Sequence, residues 1–395
     1  MYYLGLDFGT TGARAAVIDR ARMEIWWESV AYASSGQQTP ADWDAALRLL
    51  LQRIPAALKP ALQAIAVDGT SGTVLLADSA GQPVGPVMFY DHPLSREPAA
   101  KLLWLKQHAD GRPCLLMHQV DYVNASLSGI TGVSDYHNAL KSGYDVREMV
   151  WHTGIYSAGD EKLLPRIVAP GTPLGKLQRI ISRHYNINPD CLVCSGTTDS
   201  IAAFIAAGID TPGFAVTSLG STLAVKLLSN CYVEASEQGV YSHKYGDLWL
   251  TGGASNTGGA VLRQYFSDDE IAEYSQRIDP AVETGLNYYP LLRPGERFPV
   301  NDPEYPPRLE PRPANKILWL HGLLEGMAEI ERLAYARLSA LGATPLRAVS
   351  TAGGGSRNRT WQELRQRRLG VPVAAATHGD AAYGAAVLAT RHRLE

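Results

Sequence analysis

Apolar and polar residues alternate on both sides of a short Gly/Ser/Thr turn in three stretches: LGLDFGTTGARAAVID (4–19), AIAVDGTSGTVLLAD (64–78) and FAVTSLGSTLAVKLL (214–228). A period of two marks a strand with one buried face, and glycine supplies the positive φ or close backbone approach that a tight turn needs. Each stretch therefore predicts a β-hairpin whose turn is lined by small hydroxyl side chains. The first and third begin at residues 4 and 214, the spacing expected if each of two domains opens with a similar sheet.

Helical spacing predicts helices in PADWDAALRLLLQRIPAAL (40–58), LPRIVAPG (164–171), the stretch starting at Asp199, and ILWLHGLLEGMAEIERLAYARLSALG (317–342), which stops on Gly342. ERFPVNDPEYPPRLEPRP (296–313) is too rich in proline for a regular element and reads as a surface loop. DTPG (210–213) ends the helix that starts at Asp199, so a domain boundary is expected near 206–213. A chain of 395 residues exceeds what one hydrophobic core usually supports. The expected division is 1–207 and 208–379, with a last helix over 380–395 that packs back on one of them.

Composition narrows the function classes. The formal charge is −3 and no basic block occurs, which argues against nucleic acid or an anionic membrane as partner. Apolar runs such as IAAFIAAGI (201–209) reach about half a bilayer span. Met1 leads directly into the strand-like YYLGLDFG with no basic stretch before it, so a cytoplasmic protein without a signal peptide is expected. Cys191 and Cys194 form a C-x-x-C, but no second Cys or His pair stands at ligand spacing, and the pair reads as metal-free and reduced.

A Walker A loop is absent: GTPLGKL (171–177) has one residue too few between its glycines and no Ser or Thr after the lysine. Phosphate binding would fall to the hairpins. In the first, Gly9 and Gly12 let backbone N–H groups converge on an anion, and Thr10 and Thr11 add hydroxyls. A carboxylate beside such a site repels phosphate unless a divalent cation stands between them, so Asp7 implies Mg²⁺ held through water; a purely structural turn is the other reading. Gly220, Ser221 and Thr222 offer a second cradle.

Asp199, in SGTTDSIAAFIAAG (195–208), follows an apolar strand and a Gly/Thr turn. That position suits a helix N-cap and equally a general base. A sugar hydroxyl is a poor nucleophile until its proton has an acceptor, and kinases place an Asp there. TAGGGSRNRTWQ (351–362) leaves bare backbone at Gly354 and Gly355 for a flat ligand. Asn358 and Trp361 can bond and pack on a base, or serve as a helix cap and a core aromatic.

These stretches in this order resemble the FGGY carbohydrate kinases, a branch of the actin, hexokinase and Hsp70 superfamily. The likeness also runs through KLLWL (101–105), SDYHNALK (134–141), TGGASNTGG (251–259), GERFPVNDP (295–303), LHGLLEGM (320–327) and AAYGAA (381–386). DGTSGTVLL, SDYHNALK, GTTDSIAAF and GVYSHK (239–244) are similar to the short cyanobacterial and plant D-ribulose kinases. The resemblance implies an α/β fold of two domains, actin/hexokinase/Hsp70-like (ribonuclease H-like), with the nucleotide in an interdomain cleft. It implies an ATP-dependent kinase acting on a ketopentose, D-ribulose first. Asp199 becomes the base and Asp7 the residue near Mg²⁺ and the transferred phosphate. Thr10, Thr11 and Gly12 would contact phosphate or sugar, and Ser71 the sugar. Gly220, Ser221 and Thr222 would hold phosphates, and Gly354, Gly355, Asn358 and Trp361 would surround adenosine. The family's Trp-x-Asp-x-Arg sugar motif is reduced here to FYDHP (89–93), and Asp135 falls on the sugar side. D-xylulose or a polyol as acceptor, and a nucleotide-driven or sugar-sensing protein, are the competing readings.

Overall fold

The computed structural model describes residues 1–33, 37–112 and 114–391. The chain divides into two compact units, one formed by 1–206 together with 380–395 and the other by 207–379.

In the first unit, β1 (Tyr2–Phe8), β2 (Gly12–Asp19) and β3 (Glu24–Ala31) form an antiparallel meander. The first predicted hairpin is thus present, with Asp7 opposite Arg14 and Phe8 opposite Ala13. Helix α1 (Pro40–Arg53) starts at a Thr39/Asp42 capping box and buries Trp43, Leu47 and Leu50 against the sheet. It stops before the predicted end because Ile54 precedes Pro55 and takes an extended conformation. β4 (Leu62–Gly69) runs parallel to β1. β5 (Val74–Ala77) does not return along β4; it pairs with β6 (Leu115–His118) in a separate sheet. The predicted hairpin over 64–78 is therefore a strand, a turn and a strand of another sheet. Alternation identified both strands but carries no information about their partners.

Helix α2 (Gln119–Ser128) follows β6, and β7 (Leu192–Cys194) and β8 (Thr197–Thr198) both run parallel to β4. The stretch 164–171 holds the short strand Arg166–Val168 instead of a helix. Pro165 and Pro170 leave room for only a few residues, two of them β-branched, which favour extended backbone. Helix α3 (Asp199–Ala206) leaves β8 directly.

The C-terminal helix, Ala381–Ala389, packs on β1 and α3; the remainder of the predicted span, 392–395, lies outside the described residues. Only glycine permits these approaches. A Cβ at Gly5 would lie 1.9 Å from the Ala382 carbonyl oxygen, and one at Gly384 would lie 1.8 Å from that of Ala202. The run AAYGAA is thus a close-packing surface. Leu4 and Leu6 in the same strand are fully buried, which stabilises the unit by about 1.5–3 kcal/mol each.

In the second unit, β9 (Phe214–Leu219) and β10 (Leu223–Ser229) form the third predicted hairpin. β11 (Tyr241–Tyr245) and β12 (Leu248–Ser255) extend the sheet antiparallel beyond β10. Helix α4 (Lys316–Ala340) is capped by Asn315 and buries Leu320, Leu324 and Met327 in the core. On the other side of β9 lie β13 (Ala348–Ala352) and, past helix α5 (Arg359–Leu369), β14 (Val373–Ala375), both parallel to it. Segment 296–313 has no helix or strand, only isolated bridges. The strand order β12-β10-β9-β13-β14 repeats β3-β2-β1-β4-β7 of the first unit: three antiparallel strands, then two parallel ones. Among the described residues no helix is long and apolar enough to cross a membrane.

Candidate active site

The parallel strands β1, β4 and β8 of the first unit end together. Asp7 stands opposite Asp68 and Asp68 opposite Thr197; one residue on, Phe8 stands opposite Gly69 and Gly69 opposite Thr198. Asp199 is the next residue, half-buried at the head of α3. The carboxyl ends of parallel strands are where open α/β sheets bind ligands, because backbone donors and helix starts converge there.

The turn between β1 and β2 is closed by Gly9 N–H donating to the Gly12 carbonyl (3.0 Å). Thr10 and Thr11 are exposed on it. Gly12 is required by packing, since a Cβ there would lie 2.3 Å from the Val30 carbonyl oxygen. Gln38 holds the turn from outside: its amide donates to the carbonyl of Thr10 and, at 3.3 Å, to that of Gly9, and its own oxygen accepts from Trp43 Nε1 (2.9 Å).

Asp7 and Asp68 are 1% and 0% exposed. Asp7 Oδ2 accepts from Arg14 Nη1 at 2.6 Å. Burial pushes the Asp7 carboxyl above the ordinary range, against the charge and hydrogen bond of Arg14, which pull it down. Asp68 is raised well above that range by burial first, then by the negative charge of Asp7 and the charges of Asp199 and Asp380, and both of its oxygens are buried without a hydrogen-bond partner. With Arg14 on one member only, the ionised form belongs to Asp7 and the proton to Asp68.

Mg²⁺ fits this donor set in one way. Asp7 Oδ1 is buried without a hydrogen-bond partner, and a hard carboxylate oxygen is the ligand type Mg²⁺ takes, usually one or two per site with water and phosphate completing the shell. Among the described residues no group of three or more His, Cys, Asp or Glu stands ready to hold a metal by itself.

Two hydroxyls near the strand ends, Ser71 Oγ and Thr198 Oγ1, are also buried without partners. Asp135 is different. Its Oδ1 accepts from the backbone N–H groups of His137 (2.8 Å) and Asn138 (3.0 Å), and its Oδ2 from Asn138 Nδ2 (2.7 Å). It caps the short helix Tyr136–Ala139 and is fully buried. In FYDHP, Tyr90 and Asp91 are exposed, while His92 Nδ1 accepts from Leu94 N–H. Asp68, Thr198 and Gln38 escaped the reading of the sequence. The signal for Asp68 was its place in VDGT, matching that of Asp7 in LDFGT.

In the second unit, the turns after β9 and β13 lie side by side because Ser218 and Ala352 are register partners. A cavity of about 190 Å³ is lined by Gly220, Ser221, Gly354, Gly355, Asn358 and Trp361, six of the seven residues expected to hold nucleotide there, together with Leu219, Gly259, Leu262, Arg263, Asp268 and Ile271. Thr222 is exposed beside it and is not part of the lining. A second cavity of about 580 Å³ adjoins it through Arg263, Asp268, Ile271, Gly354 and Asn358. Larger cavities of about 770 and 690 Å³ lie against α1 and the helix Arg179–Tyr185 and contain none of the candidate residues.

At the glycine-rich turn Asn358 and Trp361 serve the scaffold and line the cavity at once. Asn358 caps α5, accepting from Trp361 N–H (2.9 Å) while its Nδ2 donates to Ser275 Oγ (2.8 Å). Trp361 is 3% exposed and belongs to the core, forming the cavity floor. A Cβ at Gly355 would strike Leu219 Cβ (2.7 Å) and Trp361 Cζ3 (2.8 Å), whereas one at Gly354 would meet nothing within 4 Å. Gly355 is therefore a packing glycine, and Gly354 is the one that leaves the cavity open. Behind both turns, Arg365 and Glu331 form a buried ion pair (2.6 and 2.8 Å). Arg365 donates to Thr351 of β13 and Glu331 accepts from Thr217 of β9. Cys191 and Cys194 are free and buried, and burial pushes the Cys194 thiol up to about 12.

Comparison with solved structures gives the class first. A xyloylose kinase from Brucella ovis superposes with a TM-score of 0.86 at 22% identity, covering 99% of this chain and 90% of that one. Plasmodium falciparum glycerol kinase with ADP superposes with a TM-score of 0.84 at 15% identity, covering 99% and 89%. The fold is the two-domain α/β fold of the sugar kinases, actin/hexokinase-like. Residues 215–392 match the FGGY family of carbohydrate kinases, C-terminal domain, and the xylulose kinase of Streptomyces coelicolor is 26% identical over 433 residues, covering 94% of this chain and 83% of its own. Residues 215–392 thus match the C-terminal domain of the FGGY carbohydrate kinases, and the chain as a whole is similar to sugar kinases in sequence and fold.

Proposed function

We propose that this kinase transfers the γ-phosphoryl group of ATP to a terminal hydroxyl of a ketopentose, D-ribulose before D-xylulose. The observation that carries the proposal is Asp199: a half-buried carboxylate two residues past the row Asp7–Asp68–Thr197. The acceptor hydroxyl gives its proton to Asp199 as the new O–Pγ bond forms and the bond from Pγ to the β-phosphate oxygen breaks, releasing ADP. Ser71 Oγ and Thr198 Oγ1, buried and unpartnered, supply hydrogen bonds to the sugar and select among acceptors that satisfy them. The turn 9–12 and the turn 220–222 offer N–H and hydroxyl donors to phosphate oxygens. Mg²⁺, held near Asp7 through water, would neutralise the developing charge on the transferred phosphate. The Arg14 guanidinium, 2.6 Å from Asp7, favours the ionised form of that carboxyl toward the cation.

D-ribulose is favoured by the runs DGTSGTVLL and SDYHNALK; the name xylulose kinase on the Streptomyces coelicolor relative favours D-xylulose. A coupled ADP-release assay over D-ribulose, D-xylulose and glycerol tests both. The highest kcat/KM is expected with D-ribulose. A preference for D-xylulose would replace the substrate, and release that no sugar accelerates would end the kinase reading.

A further inference from the structure

Two cavities of about 770 and 690 Å³ in the first unit contain none of the candidate residues, yet they are walled by helices that start at the candidate turns. Helix α1 begins two residues after Gln38, whose amide holds the 9–12 turn and whose oxygen accepts from Trp43 of the same helix. Helix α2 begins at Gln119, whose Oε1 accepts from Thr70 N–H (2.9 Å) and Thr70 Oγ1 (2.8 Å), beside Ser71. Tyr122 Oη ties the two helices together by donating to Asp44 Oδ2 at 3.0 Å. Further along, α1 and α2 form the walls of the larger cavity with the helix Arg179–Tyr185.

The cavities share Arg48, His184 and Tyr185 and so form one groove with two different ends. The larger end is mainly apolar, with Leu47, Leu51 and Ile181 on its walls. The smaller end carries Lys59 beside Arg48 and no carboxylate. Lys59 is 9% exposed and gives one of its ammonium donors to the Gln52 carbonyl (3.1 Å), which leaves others for a ligand. Among the described residues neither Arg48 nor Lys59 forms an ion pair. Helix α1 and the helix Arg179–Tyr185 both end here, and each helix end contributes about half a negative charge. Two full positive charges outweigh that. Asp44, at the apolar end, is engaged by Tyr122.

We propose that this groove is a second ligand site, for an organic anion with an apolar body, and that its occupancy steadies the 9–12 and 70–73 turns through α1 and α2. The anionic head lies against Lys59 and Arg48, where charge-assisted hydrogen bonds hold it. The body lies along Leu47, Leu51 and Ile181. Cavities of about 300–1,000 Å³ are the size that small molecules occupy. None of the residues assigned above to ATP or sugar lines the groove.

The test uses anilinonaphthalene sulfonate and phenylnaphthylamine, the same ring system with and without the negative charge. Both are titrated by fluorescence into full-length wild type, Arg48→Ala and Ala45→Trp. Arg48→Ala should bind the sulfonate about tenfold more weakly than wild type, as expected for loss of a charged hydrogen bond, and the uncharged probe equally well. Ala45→Trp places an indole in the smaller cavity and should abolish sulfonate binding. Both positions are exposed on α1, so all three proteins should share one circular dichroism spectrum. Wild type that binds no sulfonate, binding that ignores both substitutions, or displacement of the sulfonate by ADP overturns the site. Amide hydrogen exchange read by mass spectrometry tests the link to the turns. Saturating sulfonate should slow exchange in peptides covering 9–12 and 70–73 of wild type and leave those of Ala45→Trp unchanged. Equal exchange in wild type with and without the sulfonate overturns the link.

Discussion

Asp7 and Asp68 face each other in register across two parallel strands, and Arg14 contacts only Asp7. Strands are about 4.8 Å apart, too close for two buried carboxylates to ionise together, so one proton stays and the guanidinium decides where. Asp68→Asn, a neutral donor of the same shape, should leave the Mg²⁺ dependence of the reaction unchanged. Asp7→Ala should lower kcat and raise the Mg²⁺ concentration needed for half-maximal rate. Identical Mg²⁺ titrations for Asp7→Ala and wild type would reduce Asp7 to a structural residue.

Asp199→Asn should lower kcat by about 10²–10⁴-fold, the range for loss of a general base, with ATP and sugar affinities close to wild type. A base acts in the transition state more than in the ground state. Rate measurement alongside direct binding separates this from misfolding, and a variant keeping more than about a tenth of wild-type kcat would assign the base elsewhere.

Gly354→Val places a side chain into space that no protein atom occupies. It should raise KM for ATP much more than KM for the sugar and leave the melting temperature near wild type. Gly355→Val should instead lower the melting temperature, because Leu219 and Trp361 already fill the space its side chain needs. Matching effects of the two variants on ATP alone would mean that the cavity is not the adenosine site.

Removing one partner of the Glu331–Arg365 pair leaves a charge buried without compensation. Arg365→Met should destabilise the protein by about 3–5 kcal/mol, read from urea unfolding. Glu331 and Arg365 hold the threonines behind both turns, so affinity for ATP should fall while affinity for the sugar holds. A loss below about 1 kcal/mol would place the pair among weak surface-like bridges.

Asp135 gives a pH signature. Burial, then the charge of Asp121, raises its carboxyl from 3.8 to about 7. The folded chain thus binds a proton that the unfolded chain releases, and stability from this group is complete below about pH 4 and is lost as pH rises through 7. Asparagine at 135 cannot titrate, and the unpartnered Asn138 Oδ1 can accept from its amide after a flip. Denaturation of wild type and Asp135→Asn from pH 4 to 8 should show wild type losing ground steadily; parallel curves would refute the shift.

Local chemistry made much of this molecule readable from its residues. The turns 9–12 and 220–222, the strands flanking them, and the long helix ending near Gly342 depend on alternation, helical period and glycine, all of which act between near neighbours. Partners were another matter. VDGT and VLLAD both read as strand ends, yet β4 joins β1 and β5 joins β6, because period two marks a buried face without saying which strand pairs with it. Asn358 and Trp361 fitted two roles each, and only the fold shows that a cap or core contact and a place in the cavity lining fall to the same residue. The AAYGAA run had no visible reason until Gly384 met the Ala202 carbonyl. Asp68 carries no signal of its protonation in its own sequence window. That state arises from burial and from the charges of Asp7, Asp199 and Asp380, groups distant along the chain that only folding brings within range of one another.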